Sequence, residues 1–183
     1  MEVYSGAETV RLYLNGRQLG EKATGREQEF KATFSVPYAP GVLKAVGMRG
    51  GRAVAESVLT TAGKAVGLRV TADRRVLRAD GQDLAFVTVE AVDAEGRLRR
   101  DADNEVRFSV SGPGTIAAVG NGDGQDTASY QGDERKLFEG RALVVVRTSR
   151  QSGTITVKAR SQGLSDGAET VEARAGVEQA ELR

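Results

Sequence analysis

Between Arg107 and Asp123 the chain reads RFSVSGPGTIAAVGNGD. Two dense turn signals, Ser111-Gly112-Pro113-Gly114 and Gly120-Asn121-Gly122-Asp123, enclose the short apolar run Thr115–Val119. A helix has no room between turns so closely set. Strand, tight turn, short strand, tight loop is the order of an all-β sandwich, and it is not the pattern of a catalytic site.

The rest of the chain has the same period. Glu8–Leu14 places Val10, Leu12 and Leu14 on one side, and Asn15-Gly16 closes a hairpin because both residues tolerate the positive φ of a type I′ turn. Arg17–Lys22 is the expected return strand, with Leu19 inward. Ala23–Glu29 reads as a polar loop. Phe30–Val36 then alternates, with Phe30, Ala32, Phe34 and Val36 on one face, until Pro37 and Pro40 end it. Gly41–Met48 and Ala53–Thr61 pair across Gly50-Gly51, the second presenting Val54 and Val58 to one side. The small, polar stretch Thr60–Ala65 marks a boundary between a first domain, 1–62, and a second, 63–175, with a frayed tail at 176–183. In the second domain Asp83–Val92 is the longest clean strand, with Ala85, Val87, Val89 and Ala91 facing one way. Further strands are expected at Gly67–Ala72, Glu105–Ser111, Ala142–Thr148, Gly153–Arg160 and Ala168–Arg174. The expected fold class is all-β, two tandem immunoglobulin-like β-sandwich domains. A domain as small as the first buries only ~60% of the surface its unfolded chain exposes.

Composition removes several kinds of chemistry. The 183 residues contain no cysteine and no histidine, so disulfides, thiolate metal sites, histidine-ligated metals and Ser-His-Asp catalysis are excluded. A net charge of +1 gives no electrostatic footprint for nucleic acid. No run of 18 apolar residues exists, so neither nucleic acid nor a membrane is an expected partner. The basic residues are mostly arginine, which reads as solvated strand faces. Met1-Glu2-Val3-Tyr4 is already strand-like and lacks a basic leader region. Either the protein is cytosolic or the chain is a piece of a longer one, and the abrupt start inside a strand pattern favours the second.

Two segments resemble a known family. Val3-Tyr4-Ser5 followed by VRLYLNGRQLG from Val10 looks like an accessory β-sandwich that follows the barrel in bacterial β-galactosidases of glycoside hydrolase family 2. LRADGQDLAFVTVEAV from Leu77, with Arg107–Asp123 and FEGRALVVV from Phe138, looks like the invasin-like or bacterial-immunoglobulin-like domain at the C-terminus of the same enzymes. The resemblance implies a non-catalytic C-terminal region that supports an upstream catalytic barrel or positions its substrate. It implies a periplasmic or secreted setting, and a first domain that lacks its first strand. The family's catalytic glutamates lie on the barrel, so no catalytic residue and no cofactor is carried over. A carbohydrate-binding module and an adhesin-like interaction module are the alternatives.

Candidate site residues lie in the polar loop Asp123–Arg135 and at its threshold. Such a long loop is uncommon in a compact β domain without a task. Tyr130 and Gln131, with Asn121, Asp123 and Asp126, are the expected contacts for a sugar or a neighbouring domain. A loop that docks on another domain is expected to be mobile in isolation. The pairs Asp101/Asp103 and Asp123/Asp126 are the nearest approach to a glycosidase's two carboxylates, but aspartate in turns bonds local backbone. Asn121–Asp126 has oxygens at alternate positions, as a calcium loop does, but lacks the later bidentate glutamate, and no metal is assigned.

Overall fold

The computed structural model describes residues 1–175, so the tail expected at 176–183 lies outside the described residues. The chain divides into two compact units, Met1–Thr61 and one that begins at Ala62. Both are all-β. Among the described residues the one helical element is a single 3-10 turn, Arg26–Gln28, within the expected polar loop.

The first unit has two sheets of unequal size. β2 (Thr9–Leu14), β3 (Arg17–Ala23), β5 (Val42–Arg49) and β6 (Arg52–Thr60) form a sheet in the order β3-β2-β5-β6. β1 (Glu2–Tyr4) and β4 (Lys31–Thr33) form a two-stranded sheet. Asn15 and Gly16 have φ of 50° and 81°, and Gly50 and Gly51 have 54° and 75°, so both hairpins close as their residues dictate. Asn15 also ties down the next strand. Its Oδ1 accepts from the Val42 N–H (2.8 Å) and its Nδ2 donates to the Pro40 carbonyl (3.1 Å). The core is small: Val10, Leu12, Ala32, Phe34 and Ala45, with Val3, Val36 and Leu43 packed against it.

Two expectations fail in this unit, and one strand lies open. Leu19 is exposed rather than inward, because a register shift between Leu12 and Tyr13 breaks the pairing of the edge strand β3 with β2. Phe30 is also exposed, since its φ of 57° turns it out of the extended run that Ala32 and Phe34 keep. All nine residues of β6 are exposed, including Val54 and Val58.

The second unit is better covered. β7 (Gly67–Ala72), β9 (Leu84–Val92), β11 (Gly114–Gly120) and β13 (Arg141–Thr148) form a sheet ordered β11-β13-β9-β7. Facing it are β8 (Val76–Arg78), β10 (Glu105–Ser111), β12 (Glu134–Lys136), β14 (Gly153–Arg160) and β15 (Gly167–Arg174), ordered β12-β10-β14-β15-β8. Ala85, Val87, Val89 and Ala91 are wholly buried, as their alternation requires, against Val144, Val146, Ile155, Val157 and Phe108. The Gly112-Pro113 turn carries the chain from one sheet to the other. Gly112 has φ of 90°, and a Cβ there would lie 2.1 Å from the Thr154 carbonyl oxygen. Most arginines lie on outer faces in ion pairs. Glu90, for example, accepts from Arg69 and Arg141 on the two flanking strands at 2.6 and 2.9 Å.

Asp93 is the polar anchor of the turn after β9. Its carboxylate is buried and accepts from the N–H groups of Gly63 (2.7 Å), Glu95 (3.0 Å) and Arg97 (2.7 Å). Burial pushes the carboxyl up, but these donors, with the Arg97 guanidinium, outweigh it and hold it below the ordinary aspartate range.

Two outcomes are expected. Gly112→Val lowers unfolding stability in denaturant titration by about 3 kcal/mol, through backbone strain and overlap with Thr154. Asp93→Asn lowers the melting temperature at neutral pH. Because the native carboxyl is depressed, wild type loses this advantage as acid protonates it, and the two melting curves converge below about pH 4.

Candidate functional site

The segment from Gly120 to Arg135 leaves β11 and returns as β12. Its centre is Arg135, which is buried although it lies between Glu134 and Lys136. Its Nη1 donates to Asp126 Oδ2 at 2.8 Å. Its Nη2 donates to the carbonyls of Val119 (3.2 Å) and Ser129. The Ala128 carbonyl accepts at 3.4 Å, and Nε is buried without a partner. One guanidinium thus holds three backbone carbonyls and one carboxylate, the fork geometry that lysine cannot supply.

The expected site residues divide around this centre. Asn121 and Asp126 come together: Asn121 Nδ2 donates to Asp126 Oδ2 (3.0 Å) and to the Lys136 carbonyl (2.9 Å). The Ala128 N–H, then Arg135 and Asn121, hold the Asp126 carboxyl below the ordinary range against the opposing effect of burial. Asp123 is half-buried and accepts from the Gln125 N–H at 2.9 Å, a local turn. These three residues therefore support the loop from within. Tyr130 and Gln131 are on its surface. Tyr130 is 64% exposed, and the Arg135 guanidinium carbon lies 5.5 Å from the centre of its ring. The ring rests beside Gly120, and exposed Phe138 rests beside Gly122. The loop thus presents the Tyr130 ring on a bonded frame, with Phe138 exposed just beyond β12.

Arg135 was missed in the sequence because it sits in a charged triplet. One signal was present: it shares the alternation of buried Leu137, two residues on.

The other carboxylate pair shows no poised acid. Asp101 pairs with Arg99, and Asp103 with Lys136 at 2.9 Å. Both are held below the ordinary range by those partners. A glycosidase acid requires the opposite shift. Among the described residues no group of three or more acidic side chains is placed to hold a metal ion. One hollow of this unit, about 480 Å³, is open and polar, between Asn104, Arg107 and Arg160. Its cations are engaged by Glu134 and Asp166.

Comparison with known proteins matches residues 68–170 to the glycoside hydrolase family 2 C-terminal domain 5, and residues 1–55 to a domain of unknown function (DUF4982). A β-galactosidase of Bacteroides ovatus is 40% identical over 161 residues, covering 88% of this chain and 19% of the relative. A β-glucuronidase of Formosa agariphila is 30% identical over 172 residues, covering 91% and 17%. The crystal structure of a glycosyl hydrolase family 2 member from Bacteroides cellulosilyticus superposes with a TM-score of 0.90 at 38% identity, covering 94% of this chain and 22% of that one. The chain spans about a fifth of the length of the curated relatives it matches.

Arg135→Met is expected to loosen the loop. Hydrogen exchange at the Ala128 amide, and at the Val119 amide that donates to the Tyr130 carbonyl, should accelerate about tenfold or more, while Val87 and Val157 in the core keep their protection.

Proposed function

Since the chain belongs to glycoside hydrolase family 2, as a C-terminal region, we propose that it is the non-catalytic appendage of a β-galactosidase-like hydrolase. It supports a catalytic barrel that precedes it, or positions that barrel's substrate. The observation that carries this reading is the coverage: nearly the whole chain matches, but only about a fifth of each relative. The carboxylates of Asp101, Asp103 and Asp126 are consistent with it, being committed to arginine and lysine partners. A periplasmic or secreted setting belongs to the same reading and rests on the family resemblance.

The test is a chimera. Deleting the matching region from the Bacteroides ovatus β-galactosidase should cut its kcat/KM or its half-life at 45 °C by about tenfold, and inserting this chain there should restore most of the loss. A chimera as impaired as the deletion would overturn the reading.

A second reading is favoured by one feature. Tyr130 is an exposed ring beside the buried Arg135 frame, a surface on which a sugar ring can stack. Under this reading the region is a carbohydrate-binding module. A glycan array that includes β-galactosides and plant polysaccharides should then show binding that Tyr130→Ala weakens about tenfold. Absence of binding leaves the supporting role.

A further inference from the structure

In an antiparallel sheet with one covered face, apolar and polar residues alternate along each strand. One sheet of the second unit obeys this. Its central strands β10, β14 and β15 carry Arg107, Ser109, Thr156, Lys158, Thr170 and Glu172 outward. The facing sheet does not. β13 runs Ala142-Leu143-Val144-Val145-Val146, and β9 opens Leu84-Ala85-Phe86-Val87. Unbroken apolar runs belong to strands buried on both faces. Ala142, Val144, Val146, Ala85 and Val87 fill the core. Leu143, Val145, Leu84 and Phe86 are left pointing outward, and Phe86 is 43% exposed.

These side chains lie together. Val145 is in register with Phe86 on one side and with Ala118 of β11 on the other, and Arg147 with Leu84. Leu143 is in register with Thr88 and with Gly120, beside which the Tyr130 ring rests. Side chains in register share a face, so the patch crosses three strands and reaches the exposed loop tyrosine. Its border is charged. At one end Arg141, Glu90 and Arg69 form a row across β13, β9 and β7, with Glu90 bonded to both arginines. At the other end Arg147 is exposed. An apolar centre with a polar border is the make-up of a protein-binding surface. Because the charges of the Glu90 row are already paired, a covering surface leaves none of them stranded.

We propose that the outer face of β11, β13 and β9 is the surface by which the second unit docks on the rest of the parent hydrolase, against an apolar patch that sets an acidic side chain opposite Arg147. The size of the face favours a partner in the same polypeptide. Three strands about 4.8 Å apart, over about 20 Å of their length, give roughly 300 Å². A free-standing dimer buries about 800 Å² on each partner. A smaller face suffices when the chain itself keeps the partner near, at an effective concentration of about a millimolar. The relatives supply such a partner: the matched region is 19% and 17% of their polypeptides, so most of each lies outside it. A sugar fits this face less well, because the planar polar groups beside it, Glu90 and its two arginines, are engaged with one another. The docking rests on the C-terminal reading above and adds to it the face that makes the contact.

The chain has no cysteine, so a single introduced thiol can report on the face. Thr88→Cys places it in the middle of the patch, and Lys158→Cys places it on the outer face of the other sheet. Each is reacted with a maleimide, in the free chain and in the Bacteroides ovatus chimera described above, and the labelled peptide is read by mass spectrometry. Thr88→Cys should react about tenfold or more slowly in the chimera than in the free chain, and Lys158→Cys at the same rate in both. Adding Phe86→Thr and Val145→Thr, which keep good strand formers on the surface, should bring Thr88→Cys back to within about twofold of its free rate. Equal rates at Thr88→Cys in chain and chimera overturn the proposal, and so does equal slowing at both positions. Slowing in the free chain that grows with its concentration overturns it in favour of a second copy. Slowing that requires an added β-galactoside overturns it in favour of a sugar platform. Equal rates in a chimera with restored kcat/KM remove the docking face alone. Slowing at Thr88→Cys in a chimera as impaired as the deletion removes the parent reading and leaves the docked face.

Discussion

A sheet with one apolar face is stable only when something lies on that face, and the two units of this chain meet the condition unequally. In the second unit five strands cover four. The result is a core in which Ala85, Val87, Val89, Val144, Val146 and Ile155 are wholly buried. In the first unit two strands of three residues each face four strands of up to nine. Its core holds five buried residues and ends before β6. The imbalance fixes where this unit exposes apolar surface.

The second unit buries polar groups under one rule. Asp93 gathers backbone N–H groups, and Arg135 gathers backbone carbonyls. Each side chain satisfies main-chain groups that a loop would otherwise leave unpaired, a large cost in a sandwich with little room for water. The charge strengthens these bonds and adds an ion pair where it finds a counter-ion, as Asp93 does in Arg97 and Arg135 in Asp126. A loop built this way keeps its shape without a strand or helix in it, and so Tyr130 can stand clear of the surface in a fixed place.

The alternation of Asp83–Val92 was enough to place that strand and its buried face, because a period of two has one meaning when the sheet has one covered side. Asn15-Gly16 and Gly50-Gly51 named their own turns. Leu19 and Phe30 misled for different reasons. The first follows a break in register that composition does not show, and the second has a left-handed backbone that only the fold imposes. The exposure of β6 was hidden because a strand's pattern tells which residues share a face, not whether anything covers it. Among the loop residues, Tyr130 stood out as an aromatic in a polar run. Asn121 and Asp126 were legible as turn formers, while their shared partner Arg135 was concealed by its charged neighbours.

β7 and β8 are consecutive but belong to opposite sheets, and β8 pairs in parallel with the last strand, Glu172–Arg174 against Val76–Arg78. The second strand of the unit is thereby fastened to its last described strand. Tension applied along the chain drags these two strands past one another in opposite directions. Their hydrogen bonds are then loaded side by side in shear, not opened one at a time as in a zipper. Three register pairs loaded in this way must part together rather than in turn.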